Sequence, residues 1–327
     1  MATPAFRVEV DTLGSREIPA GALYGAQTDR AVENFSISGR TLAEWPAFIH
    51  AFASVKQASA FANYSLGKLP ERKYLANAAA CEEIRSGIHN SAFVVDVFQG
   101  GAGTSTNMNV NEVVANVALK HLGLKPGAYE VLHPIDDVNM SQSTNDVYPT
   151  AARLATINAS MMLTDSLKRL VTAFQKKGCE FHTVGKLGRP QLQDAVPMTL
   201  GQEFMAFAAT LDEDVRKLPE ISDNFTEVSL GGTAIGTGIN APKGYGEIAI
   251  RKLCELTGIG LVPSQNLIEA TWDTGAFVLF SGMLKRTSSK LSKIANDLRL
   301  LSSGPKGGFA KIRLPPRQPA RRSCRRR

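Results

Sequence analysis

Cysteine is scarce in this chain. Among 327 residues there are four, Cys81, Cys179, Cys254 and Cys324, and no two of them have the CxxC spacing of metal or redox sites. Such scattered cysteines do not form the dense disulfide framework of a small secreted protein. We therefore expect reduced thiols, a cytoplasmic protein and no metal site.

Long hydrophobic runs are also missing. The longest nearly apolar stretch, residues 276–284, is far too short to cross a bilayer. The first residues lack the basic segment followed by an apolar segment that marks an export signal. With 43% hydrophobic and 20% charged residues, the composition is that of a globular protein with a large core. We expect a soluble protein with no membrane partner.

The positive charge is concentrated in one segment. The formal net charge is +7, and residues 317–327 contain six arginines and no acidic residue. Subtracting these six charges from +7 leaves +1 for the rest of the chain. A basic groove across the body is therefore not predicted, and we do not expect biological binding of nucleic acid.

Helical spacing of apolar residues dominates after the first forty residues, which instead indicate irregular structure with a short hairpin. Polar, glycine and proline residues separate the predicted helices. These helices cover Pro46–Leu66, Arg72–Phe98, Asn109–Leu122, Tyr148–Cys179 and a further stretch that ends near Leu218. The predicted fold class is mainly α.

One apolar stripe is longer than the others. Between Asn266 and Ser302, residues recur at alternating steps of four and three: Phe280, Leu284, Thr287, Leu291, Ile294, Leu298 and Leu301. A helix of this length belongs in a bundle, within or between subunits. We predict a small mixed N-terminal domain (1–143), a long-helix bundle that is incomplete (144–314) and a basic, disordered tail (315–327).

Three polar clusters interrupt the helical pattern: Gly100–Asn109, Asn139–Asp146 and Gly231–Asn240. Glycines allow a close approach of the backbone, and hydroxyl and amide groups can donate to a carboxylate or phosphate. The second cluster precedes a helix, so its side chains can either cap that helix or bind an anion at its N-terminus. The third lacks the Lys-Ser/Thr of a phosphate loop. A shared pocket for a small anion accounts for all three.

Several runs of residues resemble the aspartase/fumarase superfamily, in the order in which that family has them. They are GAGTSTNMNVNEV (101–113), DDVNMSQSTNDVYPTA (136–151), LQDAVPMTLGQE (192–203) and GGTAIGTGIN (231–240). STNDVYPT and LIEATWDTGAFV (267–278) are closer to aspartate ammonia-lyases than to fumarases. The resemblance implies a homotetramer that reversibly eliminates ammonia from L-aspartate to give fumarate, without a cofactor.

The resemblance also implies which residues bind substrate. Thr104, Ser143, Thr144 and Asn145 match positions that the family uses to hold the substrate carboxylates. At position 190 the family has a threonine, whereas this chain has Pro190, which offers neither a hydroxyl nor a backbone N–H. The neighbouring Gln191 is still expected to contribute a donor.

The tail departs from the family. After Gln318 relatives continue with a loop like AGSSIMPAKVNP, whose serine is the catalytic base, but this chain reads PARRSCRRR. Loss of one base from suitable codons for AGSSIMPAK produces that tail, so we hypothesise a frameshift that places Arg321 and Arg322 at the serine positions. No catalytic residue would then be retained, the C-terminal domain would be absent and activity would be impaired.

The alternatives are a lyase resembling fumarate hydratase, a non-catalytic helical subunit that uses the long stripe to associate, or an error in the recorded sequence.

Overall fold

The computed structural model describes residues 5–304 and 306–317. Most of this chain is helical, which confirms the predicted fold class. The helices are α1 (Ala26–Asn34), α2 (Pro46–Ser65), α3 (Glu71–Arg85), α4 (Thr104–His121), α5 (Thr144–Glu180), α6 (Leu200–Ser222), α7 (Tyr245–Thr257), α8 (Leu267–Trp272) and α9 (Gly275–Leu301). No helix in this part of the chain is long and apolar enough to cross a membrane.

Short strands form two-stranded sheets. The first is the hairpin predicted near the N-terminus, β1 (Phe6–Asp11) and β2 (Gly14–Pro19), which pair antiparallel. The second pairs β3 (Gly185–Leu187) with β4 (Pro197–Thr199), also antiparallel. The third pairs β5 (Glu227–Val228) with β6 (Val262–Pro263) in parallel.

The described chain forms two compact units. The first contains the described residues of Met1–Met162 and Ser222–Ala276, and the second those of Leu163–Ile221 and Phe277–Arg327. The domain boundary predicted between residues 143 and 144 coincides with the start of α5, and it stays a prediction. The predictions for the tail from position 318 onward, including Arg321 and Arg322, lie outside the described residues.

In the first unit, α2 is at the centre. Helices α3, α4 and α7 all contact it. The alanine-rich sequence of α2 permits this close packing, and Phe52, Val55 and Ala58 are completely buried. Because α2 is covered on most sides, any polar side chain that it carries inward must find its partners inside the protein.

In the second unit, α6, α9 and the C-terminal half of α5 share an apolar core. Its buried members include Val171, Phe174, Phe204, Phe207, Leu211 and Ile294. The stripe on α9 faces this core, since Leu291 and Leu298 pack against the same cluster and Phe280 packs against a smaller one nearby. Most of the stripe therefore packs as bundle core against helices of the same chain, as predicted. Leu284 is the exception, because it is 38% exposed and Met283 is buried in its place.

The predicted helix Arg72–Phe98 was wrong in its second half. Helix α3 ends at Arg85, and Gly87 follows with a φ of +88°, the left-handed conformation that terminates many helices. Beyond it, the Asp96 carboxylate accepts hydrogen bonds from the backbone N–H groups of Ile37, Ser38, Gly39 and Phe98. These contacts attach the connection after α3 to residues 37–39.

Helix α1 was not predicted. It is short and lacks a local side-chain cap. The buried Glu112 carboxylate of α4 instead accepts the N–H groups of Gly25, Gln27 and Thr28 at 2.8, 2.9 and 3.1 Å. This cap comes from a residue more than eighty positions along the chain, so local sequence carries no sign of it.

Gly103 allows α4 and α5 to begin close together. Its φ is +77°, and a Cβ placed on it would lie 2.4 Å from the Tyr148 ring of α5. No side chain fits at that distance without a shift of the ring. Gly123 also has a φ of +77°, but a Cβ there would have no neighbour within 4 Å.

These two glycines make a matched pair for mutation. Gly123→Ala should cost only the left-handed backbone penalty of roughly 1–2 kcal/mol. Gly103→Ala should cost that amount plus the cost of displacing Tyr148, for which overpacking predicts about 1–3 kcal/mol more. Free energies of unfolding from urea titration measure both. Equal losses would show that the contact with Tyr148 is not a real constraint.

Candidate anion-binding site

Two helix N-termini lie side by side in the first unit. Helix α4 begins at Thr104 and α5 begins at Thr144. They are linked through Asn107, whose Nδ2 donates to Thr144 Oγ1 at 3.0 Å. The N-terminal end of a helix carries unpaired N–H groups and partial positive charge, and therefore favours an anion.

Lys56 of α2 lies beneath these two ends. It is completely buried. Its Nζ donates to Asn107 Oδ1 at 2.7 Å, Gln142 Oε1 at 2.8 Å and Asn139 Oδ1 at 2.9 Å. Three acceptors use all three N–H groups of an ammonium, whereas a neutral amine has only two. Burial lowers the pKa of Lys56 to about 7, and the nearby Asp146 charge opposes that shift.

Asp146 joins the second polar cluster to the third. Its carboxylate accepts from the backbone N–H of Ser143 at 2.9 Å and from those of Gly231 and Thr233, both at 3.1 Å. Asn145 adds a second link, because its Nδ2 donates to the Ala234 carbonyl at 2.7 Å. Burial raises the pKa of Asp146 to about 6, although its three backbone N–H partners oppose the shift.

The four predicted residues of the first unit occupy distinct positions. Ser143 caps α5, because its Oγ accepts from the Asn145 N–H at 3.2 Å. Thr144 and Asn145 are the first two residues of α5, and all three are half-buried. Thr104 is the first residue of α4 and is exposed. The capping interpretation of this cluster is therefore correct for Ser143, whereas Thr144 contacts Asn107 and Asn145 contacts Ala234.

Gln191 belongs to the second unit. It is exposed on the short turn Pro190–Leu192, where its φ is +48°. Leu192 also has a positive φ, of +64°. Two successive residues other than glycine in the left-handed region are uncommon. Arg189 flanks the turn and forms a 2.8 Å ion pair with Asp194.

The sequence interpretation missed the residues that support these donors. Lys56 was assigned no role, and Asp146 was seen only as part of a cluster. A partial signal for Lys56 was available, because Phe52, Ala53 and Ala60 lie one turn before and after it on α2. A charged side chain that is buried on such a face must be paired inside the protein.

Asn63 supports the same loop from α2. Its Nδ2 donates to the Met140 carbonyl at 2.9 Å, and its Oδ1 accepts from the Ser141 hydroxyl at 2.7 Å. Ser141 has a φ of +61°, a conformation that costs energy for this residue type and needs such external support. Because Asn63 follows Lys56 by seven residues, both lie on one face of α2.

The described residues contain no group of three or more histidine, cysteine or acidic side chains placed to hold a metal ion.

Comparison with known proteins decides the family. A family model described as Lyase matches residues 14–320. This chain belongs to that lyase family. The chain is 59% identical over 314 residues to aspartate ammonia-lyase from Pseudomonas aeruginosa, covering 96% of this chain and 66% of that protein. It is 50% identical over 310 residues to aspartate ammonia-lyase from Escherichia coli, covering 94% and 65%.

Solved structures agree with this assignment. Fumarate lyase:delta crystallin from Brucella melitensis, bound to cobalt, superposes with a TM-score of 0.95 at 60% identity, over 97% of this chain and 69% of that chain. Class II fumarase from Schistosoma mansoni gives 0.88 at 33% identity, over 93% and 67%. The predicted superfamily is confirmed. The chain spans slightly less than two thirds of the length of these two curated relatives, 66% and 65%.

The buried Asp146 gives a prediction for stability against pH. Its raised pKa means that the folded state holds a proton near pH 5 that the unfolded state has released, so its contribution to stability falls as pH rises. Asp146→Asn should therefore cost more at pH 5 than at pH 7, by on the order of 1 kcal/mol. Urea titration at the two pH values measures the difference.

Asp96→Asn is the control. The pKa of Asp96 is lowered to about 2, because backbone and side-chain donors outweigh the effect of burial. Asp96 is thus ionised in both states from pH 5 to pH 7, and its replacement should cost the same at both. If Asp146→Asn also showed no change with pH, Asp146 would not hold a proton in this range.

Proposed function

We propose that this chain is an aspartate ammonia-lyase that binds L-aspartate and fumarate and eliminates ammonia between them. The observation that carries the proposal is the pair of helix N-termini above the buried Lys56, where Thr104, Ser143, Thr144 and Asn145 are grouped. The names of the relatives from Pseudomonas aeruginosa and Escherichia coli support the choice of substrate.

The chemistry of the elimination suits this arrangement. A proton on Cβ of L-aspartate is very weakly acidic, so its removal has a high barrier. The negative charge left behind is shared with the carboxylate attached to Cβ, which then carries a second negative charge. Donors that meet this growing charge lower the barrier, and they act most strongly where water is excluded and their positions are fixed beforehand. The Thr144 hydroxyl, the Asn145 amide and the positive ends of α4 and α5 fill this role in the proposal, with Ser143 and Thr104 as further donors.

The base and one donor remain separate predictions. Proton removal in this family is assigned to a serine, and the positions that match it here are Arg321 and Arg322. On that reading the chain binds substrate but turns it over poorly. Gln191 is proposed to contribute a donor in place of the hydroxyl that Pro190 lacks.

A homo-oligomer, a tetramer in the resemblance, is part of the proposal. Its support is a set of large apolar side chains that the single chain leaves exposed, among them Met162 at 72%, Trp272 at 70% and Val278 at 68%. Methionine and aromatic side chains are enriched at protein–protein interfaces. A cytoplasmic location is also proposed, supported by the free thiols of Cys81, Cys179 and Cys254.

A fumarase-like reaction is the second candidate, because the Schistosoma mansoni class II fumarase shares the fold. It predicts hydration of fumarate and turnover of L-malate in place of L-aspartate.

The alternative of a non-catalytic oligomerisation subunit has lost its main support. It required an unpartnered stripe on α9, whereas Leu291 and Ile294 pack inside the chain.

Turnover and binding test the proposal together. Fumarate formed from L-aspartate, and separately from L-malate, is followed by ultraviolet absorbance, and fumarate binding is measured by calorimetry. We expect fumarate to bind, L-aspartate to be preferred over L-malate, and turnover to lie far below the ordinary value of about 10 per second. Ordinary turnover would overturn the prediction of impairment. Absence of fumarate binding would overturn the proposed function.

Thr144 gives a specific test of the site. Thr144→Val keeps the shape of the side chain and removes its hydroxyl, and the loss of a hydrogen bond to a charged ligand should weaken fumarate binding by about tenfold or more. Thr156→Val is the matched control on the same helix, since the Thr156 hydroxyl donates only to the Ala152 carbonyl at 2.8 Å. Equal fumarate affinity of the two variants would place the ligand elsewhere.

A further inference from the structure

We propose that Lys56 and Asn107 are positioning residues that fix the direction of hydrogen bonding in the anion site. In this arrangement the Thr144 hydroxyl must donate its hydrogen to the ligand carboxylate. The inference rests on the proposed function and extends it to residues that do not touch the substrate.

The first step is the orientation of the Asn107 amide. The three oxygen acceptors around Lys56 Nζ favour its ammonium form, which can only donate hydrogen bonds. In that form the atom of Asn107 that faces Nζ at 2.7 Å is the oxygen Oδ1. The amide nitrogen is then directed the other way. Gln142 is oriented by the same rule, since its Oε1 faces Lys56 and its Nε2 donates to the Val138 carbonyl at 2.9 Å.

The second step is the orientation of the Thr144 hydroxyl. Asn107 Nδ2 is a donor only, and it approaches Thr144 Oγ1 at 3.0 Å. The oxygen therefore accepts from Asn107, and its own hydrogen must be directed elsewhere. Within residues 5–304 and 306–317, no protein atom accepts that hydrogen. The half-buried hydroxyl of Thr144 thus offers a donor of fixed direction to an external acceptor.

This fixed direction has a functional value. A hydroxyl that can either donate or accept loses free energy when a ligand forces one role on it, whereas an oriented donor does not. The chain of bonds from Lys56 through Asn107 to Thr144 also polarises each member in the same sense. It carries the influence of a buried positive charge to the ligand without placing that charge in contact with solvent.

Burial of the charge argues against a purely structural role for Lys56. Removing an ammonium from water is expensive, and an apolar side chain in its place would suit the surrounding helix. The three acceptors of Lys56 lie close to the beginning of α5. Asn107 of α4 contacts Thr144, and Asn139 and Gln142 belong to the segment immediately before α5.

A double-mutant cycle between positions 107 and 144 tests the inference. Asn107→Asp keeps the size of the side chain and an acceptor for Lys56, but it cannot donate to Thr144, whose hydroxyl then donates to the new carboxylate. We expect fumarate affinity to fall by about tenfold or more in the wild-type background. In the Thr144→Val background the same change should alter affinity by less than about twofold, because the hydroxyl is already missing.

The cycle separates this mechanism from simple repulsion of the anion by a new negative charge. Repulsion would reduce affinity by the same factor in both backgrounds, and that result would overturn the inference. Asn109→Asp controls for a buried change on the same helix, because Asn109 accepts from the Val94 N–H at 3.0 Å and donates to the Ala92 carbonyl at 3.1 Å. Its fumarate affinity should remain within about twofold of the wild type, since it has no link to Thr144.

Lys56→Met provides the same cycle should Asn107→Asp fail to fold, as judged by circular dichroism and thermal unfolding. Without the ammonium the Asn107 amide can turn, so fumarate affinity should fall in the wild-type background and not in that of Thr144→Val.

If Thr144→Val binds less fumarate but neither Lys56→Met nor Asn107→Asp does, only this inference fails. If the wild type does not bind fumarate, the proposed function fails and the inference with it. If Thr144→Val binds fumarate as well as the wild type does, the ligand lies elsewhere and the inference fails.

Discussion

The interaction on which the polar part of the first unit depends is the set of three hydrogen bonds made by the buried Lys56 ammonium. An unpaired charge in this position would be too costly to bury, so Asn107, Asn139 and Gln142 must present oxygen atoms to it. Those side chains belong to α4 and to the loop before α5. One lysine of α2 thereby determines how two neighbouring segments are placed and how their amides are oriented.

This arrangement produces a site with partial positive charge from several sources. The N-termini of α4 and α5 meet across the contact between Asn107 and Thr144, and Gly103 allows the close approach. Asp146 is the opposing negative charge, but its carboxylate is directed toward backbone N–H groups of the glycine-rich cluster. In the proposed function this set of donors receives a small dianion, and it is built on helix ends and supported from beneath by α2.

Sequence reasoning predicted the parts of this structure that follow from local pattern. The long helices, the core-facing stripe on α9 and the polar character of the three clusters all depend on periodicity or composition within a short stretch. The end of α3 at Arg85 was missed because apolar spacing continues past Gly87, and only the left-handed glycine stops the helix. Helix α1 was missed because its cap, Glu112, is distant in sequence.

The candidate site shows the same division. Thr144 and Asn145 are predicted site residues because they match a family motif, and their position at a helix start follows from the sequence. The role of Lys56 required the tertiary structure, since a lysine in a helix is usually solvated. Its partners, Asn139 and Gln142, are over eighty residues away, and their amide orientation follows from its charge. Local pattern thus identifies the donors, but three-dimensional packing determines their direction.

A crystal structure of this protein with fumarate bound tests the central claim most directly. The account predicts a fumarate carboxylate at hydrogen-bond distance, about 3 Å, from Thr144 Oγ1, with Asn107 still between that oxygen and Lys56. Fumarate bound away from the N-terminus of α5, or a Thr144 hydroxyl that donates to a protein atom in the complex, would contradict it.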